Sequence, residues 1–194
     1  QRRQRIVIVG IREDIDVEFR VPSPEIYRDA DVTAKTGITA PPISLYAPNH
    51  EFTRQSQNVV ERLSYMRPGE HAFSPRVLEV LPKRLRINTK TTLSTTYKRL
   101  EPDKPAYTVT GAGGAHMYHW LANRALTNRE KARLQTFPDD FVFEGLKDSV
   151  RKQVGMAVPV KGAEAIFTAL FKSFAKLPYP SVEPNIDLAS IVAS

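Results

Sequence analysis

Cysteine is absent from this chain of 194 residues. Its absence excludes a disulfide framework, a thiolate metal site and a thiol nucleophile supplied by these residues. No run of about 18 apolar residues occurs, so no helical membrane span is expected. No secretory signal pattern is visible, which makes the cytoplasm the expected compartment. Acidic residues are the minority charge, with 21 Asp and Glu against 28 Lys and Arg and a formal net charge of +7. Charged residues at 25% and hydrophobic ones at 41% are ordinary for a globular domain and exclude collagen, coiled coil and bulk disorder. A chain of this size buries roughly 70% of its unfolded surface and needs no covalent staples.

The chain opens on Gln1-Arg2-Arg3-Gln4-Arg5 and runs directly into Ile6-Val7-Ile8-Val9. A buried strand over residues 5 to 12, with no lead-in, is the pattern expected of a segment of a longer protein or of one subunit of a split protein. The charge is uneven. Residues 2 to 12 carry four arginines and no acid, residues 13 to 31 are mainly acidic, and residues 83 to 99 are basic again. That last stretch holds Lys83, Arg84, Arg86, Lys90, Lys98 and Arg99 among interleaved Ser and Thr, with no acid. Cations and hydroxyls together suit phosphate oxygens. A solvated surface loop has the same composition, and on composition alone both readings stay open.

Residues 19 to 24 read as extended, because each proline biases its predecessor away from helix. Residues 30 to 50 read as loop, residues 52 to 66 as a helix stopped by Pro68-Gly69, and residues 71 to 119 as irregular with short β-like pieces such as Ala106–Val109. Thr127 and Glu130 have the spacing of a capping box, with Leu126 as the outer half of a hydrophobic staple. The clearest helix runs from Pro159 to Pro178. There Ala163, Ile166, Phe167, Leu170, Phe171, Phe174 and Leu177 form one apolar stripe. The tail from 179 is Pro-rich and expected to be poorly ordered.

Three separated motifs lie in one order: Gln1-Arg2-Arg3-Gln4-Arg5; Arg124-Ala125-Leu126-Thr127 with Arg129-Glu130, Arg133-Leu134-Gln135 and Phe137-Pro138-Asp139; and Gln153-Val154-Gly155-Met156-Ala157-Val158-Pro159. Together they resemble motifs VIII, IX and X of the DNA (cytosine-5) methyltransferases. The resemblance covers residues 1 to about 175. It implies an α/β fold: the C-terminal part of a Rossmann-like, S-adenosylmethionine-dependent methyltransferase domain, plus a small irregular, β-rich target-recognition domain. Residues 1–24 would be last strands of the catalytic domain and 25–119 the recognition domain. Residues 120–178 would carry motifs IX and X with a helix returning to the catalytic domain, and 179–194 a tail.

The resemblance also implies roles. Arg5 matches the arginine that reaches the ring oxygen of a flipped cytosine, and Arg3 the one near the target phosphate. An extruded base exposes its Watson–Crick edge, so fixed guanidinium donors suit that place. Lys83, Arg84, Arg86, Lys90, Lys98 and Arg99, with Gly113 and Gly114 of a Gly-rich loop, are the candidate DNA contacts. Gly155, Met156 and Ala157 match a loop that closes the S-adenosylmethionine pocket, although Met156 stands where the family has Asn. Glu130 and Arg133 are expected in ion pairs. His116 and His119 lack acidic or thiol companions, so a surface or phosphate role is expected before a metal.

The family's Gly-rich cofactor loop, its Pro-Cys nucleophile and its Glu-Asn-Val glutamate do not occur in these residues. The resemblance therefore implies a chain inactive by itself. Its expected partners are duplex DNA and an N-terminal catalytic half or subunit, with no membrane and, by analogy, a restriction–modification setting. The alternatives are a relative acting on tRNA and a non-catalytic DNA-binding module.

Overall fold

The structure is a computed structural model that describes residues 3, 5–88, 97–111 and 117–184. Its elements are β1 (Val21–Pro22), α1 (Ala34–Thr39), α2 (Gln57–Ser64), α3 (Pro75–Val80), α4 (Asn128–Leu134), α5 (Lys147–Met156), α6 (Val160–Phe174) and β2 (Ser181–Val182). Two short 3-10 turns, Pro24–Tyr27 and Lys83–Leu85, complete the described set. The chain divides into two compact units. One comprises Gln1–Arg3 with Asp31–Ala157, the other Gln4–Ala30 with Val158–Ser194. No single described helix is long and apolar enough to cross a membrane.

The first unit is helical and holds both apolar cores. Ala34 and Ile38 of α1, Ala132 and Leu134 of α4 and Val150 and Val154 of α5 meet Leu100, Val109, Met117 and Trp120 in the larger one. Leu63 of α2 and Val77 of α3 meet Leu81, Leu85 and Tyr118 in the smaller. The β-rich expectation for this region is corrected. Among the described residues it carries helices and two isolated bridges, Arg99 with Tyr118 and Tyr118 with Ala125. Ala106 and Val109 are buried, as their apolar character demands, but pair in no strand.

α2 is shorter than the expected 52–66 span. Ser56 turns the chain into the helix, and Phe52 stays outside it, tilted against the His50 ring and beneath the Arg124 guanidinium. The capping box of α4 forms as its spacing requires: Thr127 Oγ1 accepts from Glu130 N–H at 3.1 Å and Glu130 Oε2 accepts from Thr127 N–H at 2.8 Å. The staple does not form. The position that would answer Leu126 is Lys131, and Leu126 turns into the larger core instead.

The second unit pairs β1 with β2 antiparallel, Val21 opposite Val182 and Pro22 opposite Ser181, against α6. The tail therefore contributes structure through residue 184. The Tyr179 hydroxyl accepts from the Arg20 N–H at 2.8 Å, donates to the Arg20 carbonyl at 2.9 Å and meets Ser173 Oγ of α6 at 2.9 Å.

The buried strand expected over residues 5 to 12 is not formed. Ile6 is 74% and Ile8 72% exposed, and neither belongs to a strand among the described residues. A strand satisfies its N–H and C=O groups only beside another strand, and among the described residues none runs along it. On α6 the expected stripe is half covered. Ala163, Ile166 and Leu170 are half-buried, whereas Phe167, Phe171, Phe174 and Leu177 are exposed.

Candidate nucleic-acid interface

α4 is the brace on which the first unit hangs. Arg129 is fully buried, and its guanidinium donates to the carbonyls of Pro48 (2.9 Å), Pro138 (2.7 Å) and Phe141. Arg133 pairs with Asp139, Nε to Oδ1 at 2.7 Å, and donates to the carbonyls of Ile38 (3.2 Å) and Pro41. Glu130 takes both arms of Arg124 at 2.7 and 2.8 Å. Burial alone would raise the Glu130 pKa, but Arg124 and the Thr127 N–H hold it below the ordinary value. Glu130 and Arg133 are thus ion-paired, as expected. A guanidinium buried this deeply is tolerated only because carbonyls and carboxylates take its donors.

α4 also reaches α5. The buried side-chain amide of Gln135 donates to the carbonyl of Val154. The next residue is Gly155, and the expectation of a loop there is corrected. Gly155 and Met156 are the last two residues of α5, and Ala157 is its C-cap, with its N–H on Gln153 O at 3.0 Å. Arg3 Nη1 donates to the Gly155 carbonyl at 3.0 Å, a cation on a helix C-terminal acceptor. A β-carbon on Gly155 would lie 2.0 Å from the Gly111 nitrogen, and one on Gly111 would lie 2.8 Å from the Lys152 Cα. Two glycines thus let the end of α5 touch the backbone at which the Gly-rich loop departs. Met156 beside this crossing is 80% exposed. Gly113 and Gly114 lie outside the described residues, as do Lys90 and His116. Arg5 belongs to the other unit and is half-buried there.

The candidate cations of residues 83 to 99 separate into different roles. Lys83 and Arg84 are exposed on the 3-10 turn packed against α2, where Arg84 pairs with Glu61. Arg86 is exposed but closes the end of α3, donating to Leu78 O at 2.6 Å and Leu81 O at 3.2 Å. Lys98 is half-buried, with its ammonium 5.2 Å from the Tyr107 ring centre. Arg99 is a correction. It is 2% exposed, and its guanidinium donates to Leu63 O (2.8 Å), Ala122 O (3.0 Å), His119 O and Asn123 Oδ1. A side chain so enclosed offers nothing to a phosphate. It ties α2 to the 119–123 turn.

His119 is a second correction. Its Nδ1 accepts from the N–H groups of Leu121 and Ala122, each at 3.1 Å, and its ring stacks on Trp120 with centroids 4.0 Å apart. Burial, aided by Arg124, holds its pKa down to about 4, against the opposing field of Glu130. It is a neutral turn-former rather than a phosphate contact. Among the described residues no cluster of three metal-ligand side chains occurs.

Sequence reasoning missed Asn49. It has φ of +62°, its amide donates to Phe143 O at 3.0 Å, and it accepts from Phe143 N–H at 3.0 Å. The only local signal was an Asn after Pro48, a residue type that tolerates left-handed backbone. Nothing local marks Phe143 as its partner, 94 residues away.

Comparison with known proteins agrees with the motifs. The family model "C-5 cytosine-specific DNA methylase" matches residues 1–172. The Type II methyltransferase M.BbvI of Brevibacillus brevis is 52% identical over 196 residues, covering 100% of this chain and 50% of that protein. M.NgoFVII of Neisseria gonorrhoeae is 34% identical over 180 residues, covering 90% of this chain and 46% of that protein. This chain therefore spans about half the length of these relatives. M.AquIB of Picosynechococcus differs in proportion: 35% identical over 138 residues, with 66% of this chain matching 89% of that protein. With a family model spanning nearly the whole chain and half of all positions shared with a curated methyltransferase, the chain belongs to the C-5 cytosine-specific DNA methylase family.

Proposed function

We propose that this chain is the C-terminal portion of a DNA (cytosine-5) methyltransferase. It carries the target-recognition region and the last part of a Rossmann-like catalytic fold. The complete protein recognises a duplex, flips a cytosine and transfers a methyl group from S-adenosylmethionine to C5. The carrying observation is the crossing of Gly155 and Gly111 with Arg3 on the Gly155 carbonyl. It joins a motif VIII residue, the end of motif X and the root of the Gly-rich loop at one place. A group that positions a flipped nucleotide and a loop that reads its neighbours must be rigidly connected.

S-adenosylmethionine supplies an electrophilic methyl group. Exposed Met156 and the Ala157 cap fit one wall of its pocket and no more, because the neighbouring Gly155 carbonyl is already bonded to Arg3. The remaining wall, and a thiolate to activate the pyrimidine, come from an N-terminal half, since no cysteine is present here. The exposed Phe167, Phe171 and Phe174 of α6 are the surface proposed to meet that half. The proportions of M.AquIB support the reading in which the two halves are separate subunits. The relatives' description as type II methyltransferases supports DNA over tRNA and a restriction–modification setting.

The test is methyl transfer from labelled S-adenosylmethionine to duplex DNA or tRNA, using this chain alone and mixed with an N-terminal half from a close relative. Labelled duplex in the mixture only is the expected result. Transfer by the chain alone, or onto tRNA in preference to duplex, overturns the proposal.

A further inference from the structure

The last carbonyls of α5 need donors from outside the helix. Gln153 O accepts from the Ala157 N–H at 3.0 Å, and there the helical bonding stops. Ala157 has turned extended, with ψ of 151°. The residue four beyond Gly155 is Pro159, which has no N–H to give. A buried carbonyl without a donor is costly. Two distant side chains fill the gap. Val154 O accepts from the Gln135 amide, and Gly155 O accepts from Arg3 Nη1 at 3.0 Å.

Gln135 is built to hold its carbonyl in one place. It is the C-cap of α4 and is fully buried. Its backbone N–H bonds to Ala132 O at 2.9 Å and Lys131 O at 3.2 Å, so its main chain is fixed to α4. The peptides carrying Val154 O and Gly155 O are each planar and share the Gly155 α-carbon. A turn of the helix end that moves one carbonyl therefore moves the other, and Arg3 with it. The same turn drives the Gly155 α-carbon against the Gly111 backbone, where no slack exists.

We propose that Gln135 is a positioning residue of the methyl-transfer centre. Through the Val154 carbonyl it sets where Arg3 and the root of the Gly-rich loop stand. The proposal rests on the reading of this chain as part of a methyltransferase, in which Arg3 serves the flipped nucleotide. Being fully buried, Gln135 touches neither base nor cofactor and acts only through its neighbours.

Gln135→Met, which keeps the length of the side chain but cannot donate, tests the proposal. In NMR spectra of the whole chain, the Gly111 amide and the Arg3 Nε–H signals are expected to move, while those of α2 and α3 stay in place. In the mixture with an N-terminal half, kcat per folded chain is expected to fall about tenfold or more, as a small misplacement near the chemistry produces. KM for duplex stays near the parent value, because no contact to substrate is lost. Gln135→Glu supplies a second measurement. Its protonated carboxyl donates to Val154 O and its carboxylate cannot. The ratio of variant to parent kcat is therefore expected to rise as pH falls, and to stay flat for the Met variant. A role in packing alone gives neither the split between kcat and KM nor the pH-dependent ratio. Unmoved Arg3 and Gly111 signals in a folded Met variant, a kcat per folded chain equal to the parent's, or loss of the fold in both variants overturns the proposal. Absence of methyl transfer by the parent mixture overturns the methyltransferase reading instead, and the spectra of the chain alone still decide whether Gln135 places Arg3.

Discussion

The α-carbon of Gly155 faces the peptide joining Thr110 to Gly111 so closely that a methyl group there would sit 2.4 Å from the Thr110 carbonyl carbon and 2.0 Å from the Gly111 nitrogen. Both neighbours are backbone, and neither can rotate aside as a side chain would. Gly155→Ala is therefore expected to force the end of α5 away from residue 111, at a cost of about 3 kcal/mol or more. Denaturant unfolding measures the loss, and amide shifts at Gly111 and Val154 locate it. A stability within 0.5 kcal/mol of the parent, an allowance of about that size covering an ordinary surface change, would show that the crossing is looser than described.

Arg99 and its basic neighbours are expected to part company under substitution. Arg99→Met strands three carbonyls and Asn123 Oδ1, and is expected to cost about 3 kcal/mol or more of stability. The double variant Lys83→Gln, Arg84→Gln removes exposed charge and one surface ion pair, which is worth little. It is expected to leave the melting temperature nearly unchanged. If these two cations meet phosphates, it lowers DNA affinity and flattens the salt dependence by about two counterions. Thermal melts and binding isotherms at several salt concentrations separate the two effects.

His119 makes the fold sensitive to acid. Its pKa in the folded chain is about 4, against 6.5 unperturbed, because burial disfavours the imidazolium. Above 6.5 the ring is neutral in both states and contributes no pH dependence. As pH falls from 6.5 towards 4, the unfolded chain takes up a proton that the folded chain refuses, so stability declines across that window. Below 4 both states are protonated and this contribution levels off. His119→Asn keeps an acceptor for the Leu121 and Ala122 N–H groups but cannot titrate. Melting temperatures from pH 7 to pH 4 are expected to fall less steeply in this variant than in the parent.

Several local features were legible because their causes are local. Thr127 and Glu130 sit three apart, and a capping box needs nothing else. The stripe on α6 follows helical spacing, and only its apolar character has to be read. Glu130 and Arg133 were legible as ion-paired through the motif that contains them. Arg99 was misread because a guanidinium's role depends on what encloses it. At the end of a basic, Thr-rich run it looks like a phosphate contact, but carbonyls from residues 63, 119 and 122 close over it. Gly155 was expected in a loop, because residues 155 to 157 match the family's motif X loop. Here it is helical, chosen for the absent side chain and not for its backbone angles.

By itself the amino-acid order determined family membership, the absence of a thiol on these residues and the positions of the helices whose caps and stripes are written within one or two turns. These properties depend on residues close in the chain or on chemistry that a residue type lacks wherever it lies. Only the tertiary structure decided which cations are buried braces and which face solvent, that Gly111 and Gly155 meet, and that residues 6 to 9 stay outside any sheet. Burial, strand pairing and contact at van der Waals distance are set by segments dozens of residues away, and no local pattern encodes them.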